Sequence, residues 1–274
     1  MKRINNNLAE EFNILFVVPT LNSYKELPVL LESIKEQTFD GWEILFVDGR
    51  SNSKHKKYLK DYSASESRIK IINQSNDNPG IYGAMNIGFS YAKKNQWIFF
   101  WGSDDWAPSN KILENISQLI KNLSISNKLP DLIFFQGQYV KKNNLSKGRK
   151  SLINLPNRII TGNELKRNIF LGKIPPHQST LFGPGIRSIK FNYNSAYKMA
   201  ADLDYFLSIS KVPDIKCLAN PLNVVNILDG GVSHNRTFLR ILEVWKAYWN
   251  IFRLKAIFPF SLRYLRKILL KFKS

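Results

Sequence analysis

The stretch "IFFWGSDDWAP" (98–108) runs large apolar side chains straight into two neighbouring carboxylates, Asp104 and Asp105. Each carboxylate disfavours ionisation of the other, so the pair is costly unless a cation or hydrogen-bond donors neutralise it. A hard divalent ion such as Mg²⁺ or Mn²⁺ prefers oxygen ligands and commonly retains phosphate oxygens of its substrate, which makes the pair a candidate metal site. The plainer alternative is a solvated turn in which Asp104 caps the helix that follows.

Other residues suggest companion chemistry. Asp48 ends "EILFVDG" and could accept hydrogen bonds from a sugar hydroxyl or a base N–H, or it could be a turn aspartate before Gly49. Asn22, after "VVPTL", is open in the same way. Gly80, Gly83 and Gly88 in "NPGIYGAMNIGF" surround an expected helix start, where backbone N–H groups can face a phosphate. Asp202 and Asp204 offer a general base, against the alternative of solvated carboxylates favoured by a helix N-terminus. His177 in "PPHQST" and His234 in "GGVSHN" have either an active-site role or a packing role, the commoner one for a lone histidine.

The elements that must hold these groups alternate between two periods. Buried strands are expected at 13–20, 42–49, 69–72, 96–101 and 131–140, and amphipathic helices at 25–37, 81–94, 110–123 and 197–211. The lysine-rich 50–62 is polar, order weakens over 141–176, and 213–227 reads as short strands. Strand and helix in alternation imply βαβ units and a mostly parallel sheet flanked by helices, an α/β fold. Ligands of such sheets sit beyond the carboxyl ends of the strands, where 19–22, 48–51 and 103–105 all fall.

The chain has 274 residues, 44% of them hydrophobic and 13% aromatic, enough to bury a sizeable core. Its net charge of +19 favours a polyanionic partner: nucleic acid, an anionic membrane surface or a phosphate-rich substrate. Cys217 is the single cysteine, which excludes an internal disulfide and a cysteine metal cluster. The N-terminus lacks the apolar core of a signal peptide, and no apolar run approaches the ~20 residues of a spanning helix. A cytoplasmic location is therefore expected.

From Phe238 the pattern changes. Phe238, Ile241, Leu242, Trp245, Tyr248, Trp249 and Phe252 recur at helical spacing, with Arg240, Glu243, Lys246, Asn250 and Arg253 opposite. Pro259 interrupts, and Leu262, Leu265, Ile268, Leu269 and Phe272 then alternate with Arg and Lys. Two basic, aromatic, amphipathic helices fit the pattern of interfacial membrane helices. Packing on the domain is the alternative.

The motifs "VVPTLN", "EILFVDGRSN", "DNPGIYGAMNIGF", "FFWGSDD", "HQSTLF", "AADLDYFL" and "GGVS", in this order over about 12–234, resemble family 2 glycosyltransferases, in particular bacterial transferases of colanic acid, O-antigen and capsule-type polysaccharides. The resemblance implies a GT-A fold over 1–236, with a Rossmann-like nucleotide-sugar half at 12–106 and an acceptor half at 107–236, and a membrane-associating tail at 237–274. It implies that Pro19, Thr20, Asn22 and Asp48 line the nucleotide pocket, and that Gly80, Tyr82 and Asn86 border the diphosphate and sugar. Asp104 and Asp105 would hold Mg²⁺ or Mn²⁺, Asp202 would be the catalytic base, and His177 with Gln178 would lie near the acceptor.

The implied reaction is inverting transfer from a nucleoside-diphosphate sugar, a UDP-sugar, to a glycan or lipid-linked acceptor, in surface polysaccharide synthesis at the inner face of the cell membrane. The chain departs from the family at Gly83 and Gly102, where aspartate or asparagine is usual, at Arg50 and Ser53, and at Ala201, where many members carry glutamate. Two alternatives are kept: a nucleotide-sugar-binding subunit without activity, and an RNA-binding protein. The second fits poorly, because an RNA reader interleaves basic and aromatic residues on its sheet whereas these strands are apolar throughout.

Overall fold

The computed structural model describes residues 12–142, 144–151, 155–189, 192–228 and 237–271. Four strands with continuous apolar runs, β1 (Ile14–Thr20), β2 (Trp42–Asp48), β3 (Ile69–Asn73) and β4 (Trp97–Phe100), pair in parallel. They are linked by α1 (Leu27–Lys35), α2 (Ser53–Ser65) and α3 (Gly80–Tyr91), and followed by α4 (Ile112–Ile125). The second half adds β5 (Leu132–Lys141), β6 (Asn144–Lys150), β7 (Ile159–Ile160), α5 (Gly162–Phe170), β8 (Thr180–Phe182), α6 (Pro184–Ser188), α7 (Ala201–Ile209) and β9 (Cys217–Leu228). Among the described residues the strands form one sheet in the order β3-β2-β1-β4-β8-β5-β9-β7, with β6 paired to β5. β8 runs antiparallel between β4 and β5, and β5 pairs in parallel with β9, so the sheet is mixed but mostly parallel.

Both faces are covered, as fully apolar strands require. Successive residues of a strand point to opposite faces. Ile14, Phe16 and Val18 pack with Ile44, Phe46 and the apolar faces of α1 and α4. Leu15, Val17, Leu45 and Val47 pack on the other side with α3, α5 and α7.

Three stretches differ from, or add to, what was expected. The polar 50–62 is largely helix: Asn52 accepts from the His55 backbone N–H at 3.0 Å and starts α2, which buries only His55 and Leu59. The stretch expected as short strands is one twelve-residue strand, β9. The third concerns the tail, α8 (Thr237–Phe252), a 3₁₀ turn (Arg253–Ala256) and α9 (Ile257–Lys271). The break falls at the 3₁₀ turn, while Pro259 lies in the first turn of α9, where no intrahelical N–H bond is lost. The face α8 buries carries Glu243, Val244, Ala247 and Tyr248, so Glu243 is not on the solvent side, and Phe238, Leu242 and Trp249 are exposed instead. Val244, Ala247, Tyr248 and Ala256 belong to the core beside α3, α5 and α7.

Candidate functional site

The site begins where β1, β2 and β4 end. Register puts Thr20 beside Asp48, and the Thr20 hydroxyl is 3.5 Å from Asp48 Oδ1. Asp48 has no exposed surface, and both its oxygens accept from the Ser51 backbone N–H at 3.3 and 3.1 Å, a contact that also shapes the turn. Below it sits His55, fully buried, with Nε2 3.7 Å from Asp48 Oδ1 and neither ring nitrogen hydrogen-bonded. Burial holds the His55 pKa below its ordinary value against the opposing pull of Asp48 and Glu26. Asn22 adopts φ 55°, a conformation asparagine tolerates, and there its N–H reaches Ser51 Oγ at 2.8 Å and its side-chain oxygen accepts from Asn52 N at 2.8 Å.

The loop after β4 is tied to the loop after β1. Ser23 Oγ donates to Ser103 Oγ at 2.8 Å, and Ser103 Oγ donates to the Pro19 carbonyl at 3.2 Å. Within this loop the adjacent aspartates divide their work. Asp105 is 2% exposed and accepts from Gly102 N–H at 2.6 Å, and backbone bonds between Trp106 and Asn226 of β9 fix the loop's far end. Asp104 is only half-buried. Burial pushes both carboxyls above the usual range, Asp105 strongly, and Glu26 adds to the effect at Asp104. Gly102 fits this loop closely, because a Cβ there would lie 2.9 Å from Asp104 Oδ1.

Among the described residues, neither aspartate has a Lys, Arg or His within ion-pair distance, and no cluster of three or more His, Cys, Asp or Glu is placed to hold a metal. Two desolvated carboxylates, one of them open, suit a hard cation that takes its remaining ligands from phosphate and water. The residues therefore fit Mg²⁺ or Mn²⁺ completed by a diphosphate.

Across the sheet, Asp202 lies in the first turn of α7, beside Asp204. The two differ in environment. Asp204 turns to the Tyr197 hydroxyl, with Lys211 and Lys246 nearby. Asp202 acts electrostatically on Tyr82, His177, Tyr193 and Tyr248, which places its charge amid the polar atoms of α3, the β8 approach and α8. The Tyr82 hydroxyl comes up against the backbone N–H groups of Ala201 and Asp202, and burial, more than the Asp202 charge, raises its pKa.

His177 is 8% exposed, caged by Phe100, Phe182, Tyr193 and Phe206, with Nε2 2.5 Å from the Tyr193 hydroxyl. Burial pushes its pKa down to about 4, despite Asp202. His177, expected on the acceptor side, is thus packed among aromatic side chains. Its neighbour Gln178 accepts, through its carbonyl, from Trp101 Nε1 at 3.1 Å. Asn86 is also a strut: its amide donates to the Tyr193 carbonyl at 2.9 Å and accepts from Tyr193 N at 2.8 Å. Gly80 opens α3 with φ 82°, the left-handed region that favours glycine. Gly83 could not be the family's usual aspartate, since a Cβ there would lie 2.0 Å from the Asn78 carbonyl. His234 and the "GGVS" motif lie outside the described residues.

Ser51 was expected here within the 48–51 cluster, whereas His55, Glu26 and Glu243 were not foreseen as part of this region. Ser51 has a local signal in the aspartate three residues before it, a spacing typical of side-chain-stabilised turns. The others have no local signal, because their partners are distant in sequence.

Comparison with known proteins gives the family and the fold. The sequence pattern described as "Glycosyl transferase family 2" matches residues 15–175. The chain is 27% identical over 206 residues to the Escherichia coli protein named UDP-Glc:alpha-D-GlcNAc-diphosphoundecaprenol beta-1,3-glucosyltransferase WfgD, covering 75% of this chain and 72% of that one. It is 26% identical over 212 residues to a PGL/p-HBAD biosynthesis glycosyltransferase of Mycobacterium tuberculosis, covering 77% and 72%. Among solved structures, S. aureus TarS 1-349 in complex with UDP-GlcNAc superposes with a TM-score of 0.68 at 15% identity, covering 88% of this chain and 65% of that one. The Pyrobaculum calidifontis mannosyltransferase PcManGT in complex with GDP-Man and Mn²⁺ gives 0.55 at 14% identity, covering 88% and 64%. The fold is GT-A, and the chain belongs to glycosyl transferase family 2.

Proposed function

We propose that the protein transfers a sugar, with inversion, from a UDP-sugar to a lipid-linked glycan acceptor in bacterial surface polysaccharide synthesis. Asp202 takes the proton from the attacking acceptor hydroxyl, and a single displacement needs only that one base. Asp104 and Asp105 are the residues that would hold Mg²⁺ or Mn²⁺, which when bound would offset charge on the leaving diphosphate. Thr20, Asn22 and Asp48 with Pro19 form the nucleotide end, and the start of α3 at Gly80 faces the diphosphate. The names of the E. coli and S. aureus proteins support UDP as the nucleotide, and the E. coli name supports a lipid-linked acceptor.

The observation that carries the reading is the run of contacts from Asp105 to His177, on which the Asp202 charge acts. Gly102 binds Asp105, Trp101 binds the Gln178 carbonyl, Phe100 stacks on His177 with ring centroids 5.7 Å apart, and His177 feels the Asp202 charge.

The tail supports a membrane-surface location at the inner leaflet. Residues 237–274 carry nine Lys and Arg against Glu243 alone. Exposed Phe238, Leu242, Trp249, Leu254, Ile257, Phe258 and Leu265 lie among them. No helix among the described residues is long and apolar enough to cross a membrane.

The test is a screen of nucleotide sugars for Mn²⁺-dependent stabilisation and UDP release, followed by Asp202→Asn and Asp104→Asn. Asp202→Asn is expected to lower transfer by about 10²–10⁴-fold while UDP binding with Mn²⁺ is retained. Asp104→Asn is expected to weaken UDP binding with Mn²⁺ but not in EDTA. Full turnover by the first variant, or unchanged UDP affinity in the second, would refute the corresponding assignment.

A further inference from the structure

We propose that Glu243, on α8, is a positioning residue for Asp202, holding from outside the start of the helix that carries it; this rests on the reading of Asp202 as the base. A helix leaves its first N–H groups without intrahelical partners, and an Ser, Thr, Asp or Asn at the cap position ordinarily accepts from them. Helix α7 has Ala200 at that position and no side-chain cap of its own. The Tyr82 hydroxyl faces the Ala201 and Asp202 N–H groups, and the cap-position amide with the two before it is held from another helix. Glu243 Oε1 accepts from Lys198 N at 2.9 Å, and Oε2 accepts from Met199 N at 2.7 Å and from Ala200 N at 3.0 Å.

Both oxygens of one buried carboxylate thus serve three consecutive amides that end two residues before Asp202. Glu243 is 8% exposed and, among the described residues, has no Lys, Arg or His within ion-pair distance. A buried carboxylate with no cation is costly unless donors satisfy it, and here backbone donors do. Its charge also lies at a helix N-terminus, where it is favourable. On the same buried face of α8, Val244, Ala247 and Tyr248 pack in one core with Ala201 and Leu203 of α7. Asp204 faces Tyr197 instead, which leaves Asp202 as the first-turn carboxylate whose direction this cap controls. A displacement of about 1 Å in a reacting group can cost about 10²-fold in rate, so loosening this segment should appear in turnover.

The experiment compares Glu243→Ala, Glu243→Gln and Glu243→Asp in the full chain with Asp202→Asn, using UDP with Mn²⁺ for binding and the donor selected by the screen for turnover. Glu243→Ala is expected to lower kcat by about 10²-fold, with the donor KM and UDP affinity held near wild type. Glu243→Gln, which keeps one accepting oxygen, should fall between, and Glu243→Asp should restore part of kcat. Independently of turnover, amide hydrogen exchange at 198–200 should accelerate in Glu243→Ala while exchange in β1 and β2 stays slow.

Unchanged exchange at 198–200, or unchanged kcat in Glu243→Ala while Asp202→Asn is inactive, overturns this inference alone. A parallel loss of UDP binding and kcat also overturns it, by showing a general folding role. Full turnover by Asp202→Asn would instead overturn the reading on which the inference rests.

Discussion

At the residue scale the site separates groups that look alike. Asp104 and Asp105 are adjacent, yet one is half-open and the other is sealed against a backbone N–H. Asp202 and Asp204 share one helical turn, yet only Asp202 faces the polar atoms around Tyr82 and His177. His177 illustrates the energetic side. Its pKa is about 4 in the folded protein and about 6.5 when unfolded, because burial outweighs the attraction of Asp202. The unfolded chain therefore takes up the proton first as pH falls. This contribution to stability is complete above about pH 6.5 and is lost towards pH 4, about 3 kcal/mol in all. Urea unfolding from pH 7.5 to 4 should show a shallower decline for His177→Phe than for wild type, and equal slopes would refute the assignment. The residue types of the site were legible in the sequence, but their division of labour was not, because side-chain direction depends on partners from other elements.

At the element scale, α3 and α8 show how packing decides which residues can be where. The start of α3 passes so close to Asn78 that a Cβ at 83 would lie 2.0 Å from its carbonyl oxygen, so a side chain there forces the backbone to shift. Gly83→Asp should destabilise the fold by about 1–3 kcal/mol, the range for overpacking, with a matching fall in Tm and in UDP binding. An unshifted Tm would mean that the segment gives way. Helix α8 was legible as amphipathic, but its buried face was not. Hydrophobic periodicity favours the set from Phe238 to Phe252, of which the fold buries Tyr248 but exposes Phe238, Leu242 and Trp249, burying Glu243, Val244 and Ala247 instead. Burying Glu243 lets it accept from three amides at 198–200, in the segment that leads into α7, which hydrophobic periodicity alone does not register.

At the scale of the whole molecule, α8 is part of the core while much of the tail's apolar surface faces outward beside basic residues. Deleting 237–274 would therefore remove Val244, Ala247, Tyr248 and Ala256 from the core and confound any binding assay. Surface changes are the better probe. Leu254 is 77% exposed and Ile257 60%, so Leu254→Ser with Ile257→Ser should leave Tm unchanged. The same pair should weaken sedimentation with anionic phospholipid vesicles by about tenfold or more, from lost apolar burial. Retained vesicle binding, or a preference for RNA over vesicles, would remove the membrane role from this surface.

The sequence by itself determined the alternation of strands and helices, the covered mostly parallel sheet and the placing of three polar clusters at strand ends. It could do so because period, apolar run length and turn residues are local properties. Only the tertiary structure decided that α2 forms in a polar stretch, that His177 and Asn86 are internal struts, and that Glu243 reaches α7 from α8. Each depends on hydrogen bonds and burial between segments distant in the chain, on which local pattern carries no information.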